Sequence, residues 1–217
     1  GQSDPWPTRD VDDAGRFVTG VVDDVGAETA GLVAFSGGSP HALAAAAAHP
    51  DRVTRVDVVG GATPPDVTEA LPTVQRLLVG LATATPTLLR GLLRGQAALA
   101  TRLDPSFVVA QYTAGSDDGI PDAVAEGVKA DFLEAFAHPR RGAVQEIRLT
   151  ATDWGVDFDE IDADVCLWHG DADTNVPISD ARRLSELIPG VELRVLEGVD
   201  HLRSLLRSAD DVLARHA

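Results

Sequence analysis

The chain has 217 residues, with 34 acidic against 18 basic side chains and a formal net charge of −16 at pH 7. That balance excludes a nucleic-acid binder, because phosphate recognition needs a basic surface that displaces counterions. A hydrophobic fraction of 44% excludes a disordered acidic tail and suits a globular domain of this length.

The chain opens Gly1-Gln2-Ser3-Asp4-Pro5 and contains no methionine. The expectation is therefore that residues precede Gly1 in the natural protein, along with any targeting segment, and cytoplasmic residence is the default expectation. From Asp10 to Val25, Val11, Phe17, Val18, Val21, Val22 and Val25 fall largely on one stripe of a helix. A short apolar strand, Gly31 to Phe35, leads through Ser36-Gly37-Gly38-Ser39 into an alanine-rich helix from Pro40 to His49, and a second strand covers Val53 to Val59.

From about Pro64 to Thr152 the alternation stops. Leucines at helical spacing, punctuated by prolines at 72, 86, 105, 121 and 139, predict four or five short helices inserted between the second and third strands. The longest uncharged apolar stretch, Leu77 to Leu89, is broken by Pro86 and falls short of the ~20 residues a membrane span requires. It reads as a helix pair, so no membrane span is expected.

The third strand, Val165 to Trp168, contains the lone cysteine, Cys166, which reads as a buried, inert thiol. Pro177 opens a helix to about Ile188, with proline in the first turn where its missing N–H costs nothing. A fourth strand, Val191 to Leu196, and a helix from Leu202 to His216 close the chain. Valine- and leucine-rich strands alternating with helices predict an α/β class with a parallel sheet flanked by helices. The chain divides into a core part over 1–63, a helical insertion over 64–152 forming a cap, and a second core part over 153–217.

Three loops at strand C-termini carry candidate chemistry. Ser36 lies at a strand-to-helix turn flanked by Ala34 and Gly38, and such a turn tolerates only small residues two before and two after its apex. A glycine-rich turn that packs a sheet or cradles phosphate is the competing reading, although the dinucleotide fingerprint is not met. After the third strand comes His169-Gly170-Asp171-Ala172-Asp173, and after the fourth Val199-Asp200-His201. Ligand crevices of open parallel sheets lie at these strand ends, so a serine, a carboxylate and a histidine could converge in the chain order Ser36, Asp173, His201. Asp171 is the nearest rival for the carboxylate, and Asp66, in the loop after the second strand, is a further candidate. His169 reads as a residue that orders the acid loop, Trp154 and Trp168 as packing anchors, and Asp200 as an exposed neighbour of His201. No cluster of His, Cys and carboxylates has metal-ligand spacing and no cofactor fingerprint occurs, so neither metal nor cofactor is expected.

Phe35-Ser36-Gly37-Gly38, His49-Pro50-Asp51-Arg52-Val53, Asp153-Trp154-Gly155, Trp168 to Asp173 with Val176-Pro177, and Gly198-Val199-Asp200-His201, together with Gly1 to Pro5, resemble the motifs of α/β-hydrolase-fold serine hydrolases. The resemblance implies Ser36 as nucleophile, Asp173 as acid, His201 as base and the backbone N–H of Gly37 as one oxyanion donor. It also implies that the fold's first strands lie before Gly1, supplied by a preceding segment or a companion chain that completes the sheet around the 31–35 strand. The expected activity is hydrolysis of a small or medium apolar carboxylic ester or related acyl compound, a small-molecule substrate, through an acyl-enzyme. Alternatives are a non-catalytic small-ligand-binding protein on the same fold, or a peptidase similar to prolyl aminopeptidase, although Gly-Gly-Ser-Pro follows Ser36 without the Trp-containing turn of that group.

Overall fold

The structure, a computed structural model, describes residues 10–114, 119–136 and 141–217. The Gly1 to Pro5 motif and Pro139 lie outside the described residues. Helix α1 (Asp13–Asp24) precedes strand β1 (Ala30–Phe35), and a 3-10 turn over Ser36–Gly38 leads into α2 (Ser39–Ala48) and strand β2 (Val53–Val59). Among the described residues five α-helices and a 3-10 turn over Phe158–Glu160 follow before the next strand: α3 (Thr73–Ala84), α4 (Pro86–Ala100), α5 (Ser106–Val109), α6 (Asp122–Ala135) and α7 (Arg141–Thr150). Strand β3 (Asp164–Gly170), α8 (Ile178–Leu187), strand β4 (Glu192–Leu196) and α9 (His201–Arg215) complete the chain. The expected strands and flanking helices are all found, and Pro86 separates α3 from α4 as the sequence predicts.

The four strands pair in parallel in the order β1-β2-β3-β4. Within the described residues β1 is thus an edge strand, paired on one side only. Side chains alternate across the sheet with period two. On one face Val56 and Val58 of β2 and Val165 and Leu167 of β3 pack with the alanines of α2 and with Leu184 of α8. On the other, Val59, Cys166 and Trp168 pack with Val212 of α9. The inserted helices bury clusters of their own, one around Leu89, Leu93 and Val144 and another around Ala100, Val108 and Phe132. No helix among the described residues is long and apolar enough to cross a membrane.

One charge is buried in the sheet. Asp57 of β2 is fully buried, and its carboxylate accepts hydrogen bonds from Trp168 Nε1 at 2.7 Å, Arg215 Nε at 2.9 Å and His216 Nε2 at 2.9 Å. Gly31 makes room for this arrangement, since a Cβ there would lie 2.4 Å from the His216 ring. The network staples the end of α9 to the middle of the sheet. Burial in this apolar layer pushes the neighbouring Cys166 thiol up to about 12, consistent with the inert thiol expected from its surroundings.

Removing one partner of a buried ionic network leaves the others desolvated and unpaired, so Asp57→Ala is expected to destabilise the fold by about 3–5 kcal/mol. Urea unfolding followed by tryptophan fluorescence measures it; a loss below about 1 kcal/mol would show that the network contributes no more than an exposed pair.

Candidate active site

The C-terminal ends of β1, β3 and β4 deliver three side chains to one edge of the sheet. Ser36, directly after β1, has φ of +52°, the left-handed backbone region that non-glycine residues rarely adopt. The turn is pinned by its own carbonyl, which accepts from Ala62 N at 3.0 Å and from the Ser39 N–H at the start of α2. Ala34 and Gly38 face each other across the turn: a Cβ on Gly38 would meet the Ala34 Cβ at 3.5 Å, an ordinary contact.

His201, the first residue of α9, is 1% exposed and bridges the other two side chains. Its Nε2 lies 2.9 Å from Ser36 Oγ, and its Nδ1 lies 2.7 Å from Asp173 Oδ2. The other oxygen of Asp173 accepts from the backbone N–H groups of Asn175 at 2.8 Å and Val176 at 3.0 Å. With both oxygens engaged and its side chain buried, this carboxylate has a fixed orientation. Nδ1–H donation to Asp173 leaves Nε2 as a lone-pair acceptor toward the serine hydroxyl, the tautomer that proton abstraction requires.

Of the carboxylates weighed from sequence, Asp173 alone is hydrogen-bonded to His201. Asp171 is exposed, and its Oδ1 accepts from Gly198 N at 2.6 Å, tying the acid loop to the turn after β4. Asp66 is exposed in the loop after β2. His169 is 2% exposed; its Nε2–H donates to Val176 O at 2.8 Å, and the ring lies 3.5 Å from Asp173 Oδ2. Burial lowers its pKa and keeps it neutral, so it orders the acid loop as a neutral donor. Trp154 is buried in the apolar cluster that includes the alanines of α2.

Asp200 departs from expectation. It is 4% exposed rather than solvated. It caps α9 through Arg203 N at 3.0 Å, pairs with the Arg203 guanidinium, and accepts from Ala114 N at 3.0 Å in the inserted segment. The Leu202 N–H donates to Tyr112 O at 2.9 Å, Asn175 Nδ2 donates to Gln111 O at 3.1 Å, and the Tyr112 ring stacks 6.4 Å from that of His201. Residues 111–114 thus strap the histidine loop to the acid loop. Nothing in the sequence around Gln111 to Ala114 signals this contact.

Gly60 also goes unsignalled in the sequence. It follows β2 with φ of +53°, and a Cβ there would lie 3.1 Å from His201 Nδ1 and 3.5 Å from Asp173 Oδ2. Its N–H donates to Trp168 O at 2.8 Å, so the backbone runs directly beneath the histidine–carboxylate pair.

Ser36 and Gly37 open onto a cavity of about 190 Å³. Its wall is largely apolar, with Leu71, Leu78, Val79, Ile147 and Val176 prominent, and the inserted helices α3 and α7 supply much of it. Among the described residues no group of His, Cys, Asp and Glu could hold a metal ion.

The family model of the alpha/beta hydrolase fold matches residues 1–207. Solved structures similar to the chain include a bromoperoxidase from Bacillus anthracis, at 18% identity and TM-score 0.71, covering 100% of this chain and 77% of that one. An esterase from Rhodococcus sp. ECU1013 is 22% identical at TM-score 0.67, covering 99% and 76%. An esterase from Exiguobacterium antarcticum is 20% identical at TM-score 0.68, covering 99% and 75%. No curated protein matches the chain in sequence.

Placing a side chain at Gly60 both forces a non-glycine residue into a left-handed conformation and crowds His201, so Gly60→Ala is expected to cost about 1–3 kcal/mol and to displace the His201 imidazole resonances in a heteronuclear NMR spectrum. Gly80→Ala is the control: it lies within α3 with open space around it and is expected to be neutral or to stabilise by about 0.5–1 kcal/mol. Unperturbed His201 resonances in Gly60→Ala would refute the close approach.

Proposed function

The chain belongs to the alpha/beta hydrolase fold family, and on that footing we propose that it is a serine hydrolase acting on carboxylic esters through an acyl-enzyme. The observation that carries the reading is the unbroken hydrogen-bonded series Ser36 Oγ, His201 Nε2, His201 Nδ1, Asp173 Oδ2, which opens on an apolar cavity at its serine end.

The residues divide the work as follows. Ser36 Oγ attacks the ester carbonyl carbon while His201 Nε2 takes its proton, and the carbonyl π bond becomes an oxyanion. The N–H of Gly37, beside that carbon, is one donor to the oxyanion. Collapse of the tetrahedral intermediate breaks the bond to the alcohol oxygen, and His201 returns its proton to that oxygen as the alcohol leaves. Water then repeats the sequence on the acyl-serine: His201 takes a proton from it as its oxygen bonds to the acyl carbon, and collapse of this second tetrahedral intermediate breaks the bond to Ser36 Oγ, which takes the proton back from His201 as the carboxylic acid leaves. Asp173 holds the imidazole in one tautomer and stabilises the imidazolium formed twice per turnover. The apolar wall, contributed by Leu71, Leu78, Val79 and Ile147, suits a small or medium acyl compound.

With p-nitrophenyl butyrate as substrate, Ser36→Ala and His201→Ala are each expected to lower kcat by up to about 10⁶-fold, and Asp173→Asn by about 10⁴-fold. Asp171→Asn and Asp66→Asn are expected to leave kcat within a few-fold. Near-normal turnover by Ser36→Ala would overturn the nucleophile, and a larger loss in Asp171→Asn than in Asp173→Asn would overturn the acid.

A further inference from the structure

The cavity beside Ser36 carries a second message, one that rests on the serine-hydrolase reading and concerns what the substrate must bring. Asp180, in the first turn of α8, is part of the cavity wall, yet the residue is only 1% exposed. Three donors converge on one of its oxygens: Oδ1 accepts from Glu69 N at 3.3 Å, Ser179 Oγ at 3.3 Å and Arg183 Nη1 at 3.2 Å. Oδ2 receives none of these bonds. A substrate group that comes to lie against this oxygen must supply a donor, because desolvating it without one is not repaid.

The hydroxyl groups of the wall cannot supply that donor, since their protons are already committed. Thr150 Oγ1 donates to Glu146 O at 2.8 Å, and Thr68 Oγ1 donates to Pro64 O at 2.9 Å. Thr63 Oγ1 lies 2.9 Å from Thr68 Oγ1 and so gives its proton there. Gln75 Nε2 donates to Asn175 O at 2.7 Å and Asn175 Nδ2 donates to Gln111 O at 3.1 Å, and neither carboxamide is hydrogen-bonded to Asp180. No Lys, Arg or His occurs among the described residues that line the cavity. The pocket is therefore apolar in area, presents the Gly37 N–H, two carboxamides and the Asp180 carboxylate as polar groups, and has no cation among its described lining residues to receive an anion.

We infer that the cavity selects a substrate whose non-reacting end carries a hydrogen-bond donor, a protonated alkylamine above all, and that Asp180 is the residue that sets this specificity. A protonated amine meets Oδ2 with a charge-assisted bond in a dry setting. An apolar group of the same shape leaves the oxygen unpaired, and a carboxylate in the same place adds like-charge repulsion.

Isosteric esters test this on either side of the scissile bond. On the acyl side ethyl 4-(dimethylamino)butyrate is compared with ethyl 5-methylhexanoate and with monoethyl glutarate; on the alcohol side 2-(dimethylamino)ethyl butyrate is compared with 3-methylbutyl butyrate. The amine is expected to exceed its carbon isostere in kcat/KM by about ten-fold or more in at least one pair, as a bond to a charged group implies. Monoethyl glutarate should be the poorest of its set. Asp180→Asn, which keeps an oxygen for the Oδ1 donors, should bring the amine preference toward unity, with its melting temperature recorded to verify folding. Equal kcat/KM within both pairs, or an amine preference unchanged in folded Asp180→Asn, overturns the inference, and if that variant does not fold the wild-type comparison decides. Calorimetric titration of the same pairs into Ser36→Ala separates the two readings: amine-selective binding without wild-type turnover of any ester refutes hydrolysis but keeps the selectivity, whereas turnover without preference does the reverse.

Discussion

The parallel register of the sheet is the constraint on which everything else depends. Phe35 pairs with Val59, Val59 with Trp168, and Trp168 with Arg194, so one row of residues crosses all four strands. Ser36 and Gly60 follow that row directly, and the acid and histidine loops begin within a few residues of it. A slip of one residue between β2 and β3 would turn Val58 or Leu167 to the wrong face and carry a functional loop out of reach. The apolar alternation that builds the core is therefore also what aligns Ser36, His201 and Asp173.

Two buried carboxylates, Asp57 in the sheet and Asp173 in the loop after β3, are satisfied in different ways. Asp57 accepts from the side chains of Trp168, Arg215 and His216, and its role is to hold α9 against the strands. Asp173 relies on two backbone N–H groups and on an imidazole that also contacts a serine. Neutral His169 and the strap over 111–114 hold the surrounding loops without adding charge. Asp180 completes the contrast, because one of its oxygens is satisfied by the protein and the other is not.

Much of this was legible in the sequence because it rests on local pattern. Short Val-rich runs marked the four strands, Pro86 marked the break between α3 and α4, and the small residues around Ser36 marked a tight turn. The choice among Asp66, Asp171 and Asp173 was not legible from composition or spacing alone, since each follows a strand and only the path of the loop decides which oxygen reaches His201. Asp200 was misjudged for a related reason: its burial comes from Ala114 and Arg203, and the former is 86 residues away in sequence. Gly60 looked like any glycine after a strand, because its proximity to His201 joins parts of the chain far apart in sequence.

The central claim is that Ser36 is a nucleophile activated by His201. The most direct test is intact-mass and peptide mapping after exposure to a fluorophosphonate, which reacts only with an activated serine. The account predicts one adduct per chain, located on the peptide containing Ser36 and absent from His201→Ala. Labelling at Ser39 instead, or equal labelling of native protein and His201→Ala, would contradict it.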